Sequence, residues 1–136
     1  MKKILVVDDD QKITAALRIR LQHAGFSVHS ATDGLSGLRE AVAQKPDLVL
    51  MDIMMPQGMG FSVAERFKAL GLAHVPVIFI TASKRSGLRK TAEHLGAAGF
   101  FEKPYNADEL LSAVSLLLSA QETQVPHRVP AAPGSQ

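Results

Sequence analysis

Lys3-Ile4-Leu5-Val6-Val7-Asp8-Asp9-Asp10 joins an unbroken apolar run to three consecutive carboxylates. The run is too short for a helix and has no wet side, so it fits a strand covered on both faces, the habit of a parallel sheet. The carboxylates then fall at that strand's carboxyl end. Outward from this stretch the pattern repeats. Ile13, Leu17, Leu21 and Ala24 recur at helical spacing and stop at Gly25. Phe26 to Ala31 reads as a strand, and Gly34 to Gln44 as a short helix carrying Leu35, Leu38 and Val42. A third strand, Asp47 to Asp52, follows Pro46, and a helix runs from Phe61 to Leu70. Val75 to Thr81 is a fourth strand, Arg85 to Leu95 a helix ended by Gly96, and Gly99 to Lys103 a fifth strand. The last helix spans Ala107 to Ala120, with Leu110, Val114 and Leu117 on one stripe.

Five strand–helix units in alternation predict an α/β fold. The expectation is a flavodoxin-like, doubly wound, five-stranded parallel sheet of order 2-1-3-4-5, with five helices distributed over both faces and right-handed crossovers. Residues 1–120 form the expected domain. From Gln121 onward the apolar period is lost and three of the seven prolines cluster, so 121–136 reads as a Pro/Ala-rich linker or disordered tail.

Composition narrows the function classes. A chain of 136 residues supports one domain with a substantial core, and 46% apolar residues argue against wholesale disorder. Fifteen cations against 13 anions leave a net charge of +2, which does not suggest a dedicated nucleic-acid binder. No cysteine is present, so there is neither a disulfide framework nor a thiolate metal site. Met1-Lys2-Lys3 and the apolar run after it imitate a signal peptide, but the run is too short and ends in aspartates. No segment approaches the ~20 apolar residues of a membrane span. A cytoplasmic location with no membrane contact is the expectation. The five histidines show no metal-binding spacing.

In an open parallel sheet, sites form beyond the carboxyl ends of the strands. The residues there are Asp8-Asp9-Asp10 on the first strand, Asp52 on the third, Thr81 on the fourth and Lys103 on the fifth. Taken singly, Asp10 reads as a helix cap, Thr81 as another, and Lys103 as a solvated lysine. Taken together they form a ring of oxygens facing one ammonium. Carboxylates without Cys or His favour a hard cation, and Mg²⁺ is the usual one in phosphate chemistry, with Mn²⁺ as an alternative. A carboxylate can also attack phosphorus and form an aspartyl phosphate. Such a transfer needs charge neutralisation and positioning more than covalent assistance.

The stretches Ile4 to Asp9, Asp52-Ile53-Met54-Met55-Pro56, Gly60, Thr81-Ala82 and Lys103-Pro104 resemble the receiver domains of two-component response regulators. The resemblance covers about residues 1–120, with all parts in order at strand ends. It implies Asp52 as phosphoacceptor, Asp9 as a direct Mg²⁺ ligand, Asp8 as a ligand acting through water, and the Met54 carbonyl as a further ligand. It implies that Thr81 and Lys103 contact the phosphoryl group, that a cis peptide joins Lys103 to Pro104, and that Phe100 is the rotamer-switching aromatic. The implied function is a phosphorelay switch rather than a turnover enzyme. A histidine kinase, a phosphotransfer protein or a small phosphodonor would supply the phosphoryl group. The surface of the fourth helix, fifth strand and fifth helix would control a downstream protein or output domain. Two departures stand out. Gln57-Gly58-Met59-Gly60 replaces the family's usual Gly-Met-Asp-Gly, and Phe100 replaces a frequent tyrosine.

Rival readings fit less well. A haloacid-dehalogenase-like phosphatase would use Asp8 and Asp10, but Lys12 stands where Thr or Val is expected and Asp52 is left without a role. An FMN carrier would need a Ser/Thr-rich loop where three aspartates stand. Lys84, Arg85, Arg89 and Lys90 make a basic patch on the fourth helix, read first as a solvated face. Leu116 falls outside the apolar stripe of the last helix and is expected beside that patch as part of a partner surface. A monomer, or a weak phosphorylation-dependent dimer, is expected, with no direct nucleic-acid binding.

Overall fold

The computed structural model describes residues 1–55 and 60–128, with backbone alone for 122–128. Ten elements alternate: β1 (Lys3–Val7), α1 (Gln11–His23), β2 (Ser27–Ala31), α2 (Gly34–Gln44), β3 (Leu48–Asp52), α3 (Gly60–Ala69), β4 (Val77–Thr81), α4 (Leu88–His94), β5 (Gly99–Glu102) and α5 (Ala107–Arg128). The five strands pair in parallel in the order β2-β1-β3-β4-β5, the order expected of a flavodoxin-like sheet.

The alternation of side chains along each strand splits the core into two layers. Leu5, Val7, Val49, Met51 and Phe79 face α2, α3 and α4, meeting Leu38, Phe67 and Leu88. Ile4, Val6, Leu48, Leu50, Ile78 and Ile80 face α1 and α5, meeting Leu17, Leu21, Leu110 and Val114. Every residue of β3 is buried, as the central strand of a doubly covered sheet requires. β5, at the sheet edge, has no fully buried residue.

Several local expectations change. Leu35 and Val42 of α2 are exposed; the buried face is Leu38 with Gly34, Gly37 and Ala41. The cause is a close approach to β1, where a Cβ on Gly37 would stand 2.9 Å from Val7 Cγ1. Ala24 is the exposed C-cap of α1 rather than part of its buried stripe. α4 begins at Leu88, not Arg85, because Gly87 adopts a left-handed conformation (φ 87°) that no helix continues through. β4 begins at Val77, since Pro76 has no N–H for the ladder and offers only its carbonyl, to Val49. On α5 the third fully buried position is Leu118, with Leu117 only half-buried. α5 also continues past Ala120 to Arg128. Gln121, Glu122 and Gln124 are good helix formers, and no glycine or proline intervenes before Pro126. The rest of the expected tail, 129–136, lies outside the described residues, as does the atypical loop 56–59.

Candidate functional site

The carboxyl ends of β1, β3, β4 and β5 converge on a shallow cleft lined by Asp9, Asp10, Asp52, Met54, Ala82, Ser83 and Lys103. Local folding aims each group. Asp10 caps α1, its Oδ1 accepting from the N–H groups of Lys12 (3.1 Å) and Ile13 (3.2 Å). This carboxylate is thus spent on the helix start, as an N-cap should be. Asp8, buried at the end of β1, accepts from the Asp10 N–H at 2.8 Å through Oδ1. Asp52, buried at the end of β3, accepts from the Met54 N–H at 3.2 Å. Asp9 is exposed. Carboxylate oxygens of Asp8, Asp9 and Asp52 lie within 4.8 Å of one another.

Behind Asp52 the chain is unusually tight. The Gly60 N–H donates to the Ile53 carbonyl at 2.7 Å, and a Cβ on Gly60 would collide with the Asp52 carbonyl oxygen. Glycine at this position lets α3 start directly against the end of β3.

Lys103 enters from the edge strand. Its N–H donates to the Thr81 carbonyl at 2.8 Å, and a cis peptide joins it to Pro104. Its Nζ reaches Asp8 Oδ2 at 2.9 Å and Asp52 Oδ2 at 3.3 Å, with only 12% of the side chain exposed. The contact with Asp8 is a close ion pair, and among the described residues Lys103 is the one partner of the buried Asp8 Oδ2. One ammonium faces three carboxylates here. An all-oxygen donor set with surplus negative charge fits a hard divalent cation such as Mg²⁺.

The charges leave their mark on proton affinities. Burial, reinforced by the Asp8 charge, raises the Asp52 carboxyl to about 6, against the opposing pull of Lys103 and the Met54 N–H. Burial alone would lower Lys103; its bonds to Asp8 and Asp52 outweigh that and raise it. Tyr105 is raised by burial and by the field of Asp8.

Thr81 is fully buried, and its Oγ1 accepts from the Ser83 N–H at 3.0 Å, so its side chain is not part of the cleft lining. Ser83 and Ala82 line it instead. From sequence, Ala82 entered only as the neighbour of Thr81 in the family-like stretch and Ser83 not at all, though both follow directly after a strand end. Phe100 is half-buried on β5 and packs against the α2–α4 core layer. The guanidinium of Arg89, on α4, sits 4.7 Å from the centre of its ring. Leu116 is 72% exposed, but it lies beside Ile19 and His23 in a groove between α1 and α5. Leu110, Val114 and Leu118 fix the buried line of α5. Leu116 is thereby turned toward α1 and away from the α4 patch, contrary to the sequence expectation.

Comparison with known proteins gives one consistent answer. The family described as "Response regulator receiver domain" matches residues 4–115. The transcriptional regulatory protein DltR of Streptococcus agalactiae is 40% identical over 114 residues, which is 84% of this chain and 50% of DltR. The alkaline phosphatase synthesis transcriptional regulatory protein PhoP of Bacillus subtilis is 33% identical over 92% of this chain and 52% of its own. The chain thus spans about half the length of these relatives. A CheY-like response regulator receiver domain from Methanospirillum hungatei superposes with a TM-score of 0.85 at 27% identity, covering 91% of this chain and 98% of its own. The N-terminal domain of a Wolinella succinogenes protein superposes with the same score at 30% identity, covering 91% of this chain and 99% of its own. Among the described residues no helix is long and apolar enough to cross a membrane.

Proposed function

This chain belongs to the response regulator receiver domains, and from that premise we propose that it is a switch thrown by transfer of a phosphoryl group to Asp52. The observation that carries the proposal is a buried carboxylate with raised proton affinity, held between two further carboxylates and one ammonium at the rim of a parallel sheet. In the transfer, an Asp52 carboxylate oxygen forms a bond to phosphorus. The bond from phosphorus to the donor breaks, and its electron pair leaves with the donor. The donor is a phosphohistidine of a kinase or phosphotransfer protein, or a small acyl phosphate. Asp8, Asp9, Asp52 and the Met54 carbonyl would hold Mg²⁺, or Mn²⁺ in its place. The bound ion would supply neutralisation of charge on phosphoryl oxygens.

The remaining work falls to this chain's own groups. Lys103 already bridges Asp8 and Asp52, so its ammonium is placed to follow the negative charge from the carboxylate onto the phosphoryl group. The Met54 N–H keeps Asp52 oriented. The Thr81 hydroxyl would leave the Ser83 N–H and donate to a phosphoryl oxygen, and Phe100 would then turn toward the space vacated. Only contacts that differ between the two states can shift their populations. The surface of α4, β5 and α5 is where we place the readout by a downstream protein or an output domain. A domain of this family is a signalling switch rather than a turnover enzyme. The relatives are named as transcriptional regulators and are about twice as long, which supports an output domain as the reader.

Incubation with acetyl phosphate and Mg²⁺ tests the reading. Intact-protein mass spectrometry should show one added phosphoryl group, absent without Mg²⁺ and absent in Asp52→Asn. Undiminished labelling of that variant would place the acceptor elsewhere.

A further inference from the structure

Arg18 takes no part in the cleft, nor in any ion pair among the described residues. It is nevertheless half-buried, and its guanidinium has a definite use. Reaching from α1 to β2, its Nη1 donates to the Val28 carbonyl at 2.8 Å and its Nη2 to Ser30 Oγ at 2.9 Å. β2 is an end strand of the sheet, paired with β1 alone. The Ser27 N–H donates to the Lys2 carbonyl, and the Ala31 carbonyl accepts from the Asp8 N–H. Ser27, His29 and Ala31 therefore turn their peptide groups toward β1, and Val28 and Ser30 turn theirs outward. Among the described residues the N–H groups of Val28 and Ser30 meet no backbone acceptor beyond the sheet. An outward row of peptide groups is a template for another strand.

We propose that the outer edge of β2 is a strand-pairing surface for a second copy of this chain, and that Arg18 holds it closed. The register selects that partner. With two β2 strands antiparallel about a two-fold axis at His29, Val28 of each copy lies opposite Ser30 of the other. Each such pair exchanges both of its outward N–H···O bonds, and the contact is the same from either side. Two five-stranded sheets would then run on as one. The strand itself carries nothing to discourage this. It reads Ser27-Val28-His29-Ser30-Ala31, without proline, lysine or an acidic residue. Arg18 supplies from α1 the cation that β2 lacks. Its bond to the Val28 carbonyl is charge-assisted, and so stronger than the neutral N–H bond that would replace it. The second bond, to Ser30 Oγ, holds the planar fork across both outward residues, in the path of an incoming strand. β1 separates this edge from β3 and Asp52, so the proposal does not rest on the phosphoacceptor reading.

Sedimentation velocity on the full 136-residue chain, over a wide range of concentration, compares the parent with Arg18→Ala, Arg18→Gln and Arg20→Ala. Both Arg18 variants free the Val28 carbonyl and should dimerise about tenfold or more tightly than the parent. Arg20→Ala removes the same charge from the same helix, but only an exposed pair with Asp108, and should sediment as the parent does. Ser30→Pro, added to Arg18→Gln, deletes an outward N–H without touching the ladder to β1, and should restore the monomer. Amide hydrogen exchange is the second readout. In the parent, Val28 and Ser30 should exchange fast, and His29 and Ala31 slowly. In the Arg18→Gln dimer, Val28 and Ser30 should slow by about tenfold or more. Folded Arg18 variants as monomeric as the parent would overturn the proposal. So would a dimer that persists with Ser30→Pro or forms equally in Arg20→Ala, since the contact would then lie elsewhere. Slow exchange of Val28 and Ser30 in the monomeric parent would do the same without any variant, because something other than Arg18 would be covering the edge.

Discussion

The rim of the sheet has two unlike halves. At β1 and β3, the central pair, Asp8 and Asp52 are buried and fixed by N–H groups two residues further on, Asp10 and Met54. At β4 and β5 the support thins. β5 is an edge strand with no fully buried residue, and α4 above it has seven residues beginning after a left-handed glycine. Phe100 there is half-buried against the core layer, with the long side chain of Arg89 over its ring. The difference teaches a division of labour. Chemistry that needs charges held against their own repulsion sits where the sheet is covered on both faces. The surface we propose to change sits at the edge, where few contacts have to be broken. Lys103 belongs to both halves, since it stands on the edge side and its ammonium lies among the central carboxylates.

Removing a carboxylate from the central half should break the comparison most visibly. Metal binding would relieve the repulsion among Asp8, Asp9 and Asp52, so Mg²⁺ at ten times its Kd should stabilise the parent by about 1.4 kcal/mol. For a domain of this size that is roughly 4–6 °C in melting temperature. Asp9→Ala, which deletes the exposed ligand without opening a buried hole, should lose most of the increase. Calorimetry at low salt with and without Mg²⁺ measures it. A full increase in the variant would remove Asp9 from the site.

The proton is the next competitor. The Asp52 carboxyl is raised from 3.8 to about 6, so protonation favours the folded state. Its contribution to metal-free stability is therefore fully present below about pH 4 and lost as pH rises through about 6. Mg²⁺ needs the ionised form, so its apparent affinity should fall about tenfold between pH 7 and pH 5, with one proton displaced. Titration calorimetry in two buffers of different ionisation enthalpy would show that proton. A flat affinity across this range would mean that no ligand carboxyl titrates near 6.

Much of this was legible in the sequence, for physical reasons. A buried parallel strand has no wet face, so Ile4 to Val7 and Leu48 to Met51 could be read from their continuity, and the rim residues followed from where those runs end. Sequence reading failed where small residues or single long side chains decide. Gly37 brings α2 so near β1 that Leu35 and Val42, expected inside, lie outside. Gly87 turns left-handed and shortens α4. Leu118 outranks Leu117 because the buried line of α5 advances by four residues at each step. Arg89 and Phe100 lie in separate elements, and no periodicity links them.

At the edge half, effects should be smaller and confined to transmission. Thr81→Ala removes a hydroxyl that now serves only the Ser83 N–H and is absent from the cleft lining. Labelling of Asp52 should stay within about twofold of the parent. In protein labelled with 3-fluorophenylalanine, with Phe100→Leu to assign the signal, the ¹⁹F resonance of Phe100 should respond to Mg²⁺ with beryllofluoride in the parent and lose about half or more of that response in the variant. An undiminished response would detach Phe100 from Thr81.

Leu116 should give the least. It projects into the α1–α5 groove beside Ile19, on the side of α5 away from α4, and exposed positions usually change stability by no more than about 0.5 kcal/mol on substitution. Leu116→Arg adds a cation near Arg20, whose guanidinium already stands 3.5 Å from Asp108. That exposed pair is screened and weak, so the added charge has little to disturb. Asp52 labelling and the Phe100 response to Mg²⁺ with beryllofluoride should both stay within about twofold of the parent. Loss of the Phe100 response in this variant would carry the switching surface around α5 to α1. The edge half would then include a face that here packs beside the central strands, and the division between the two halves would fail at α5.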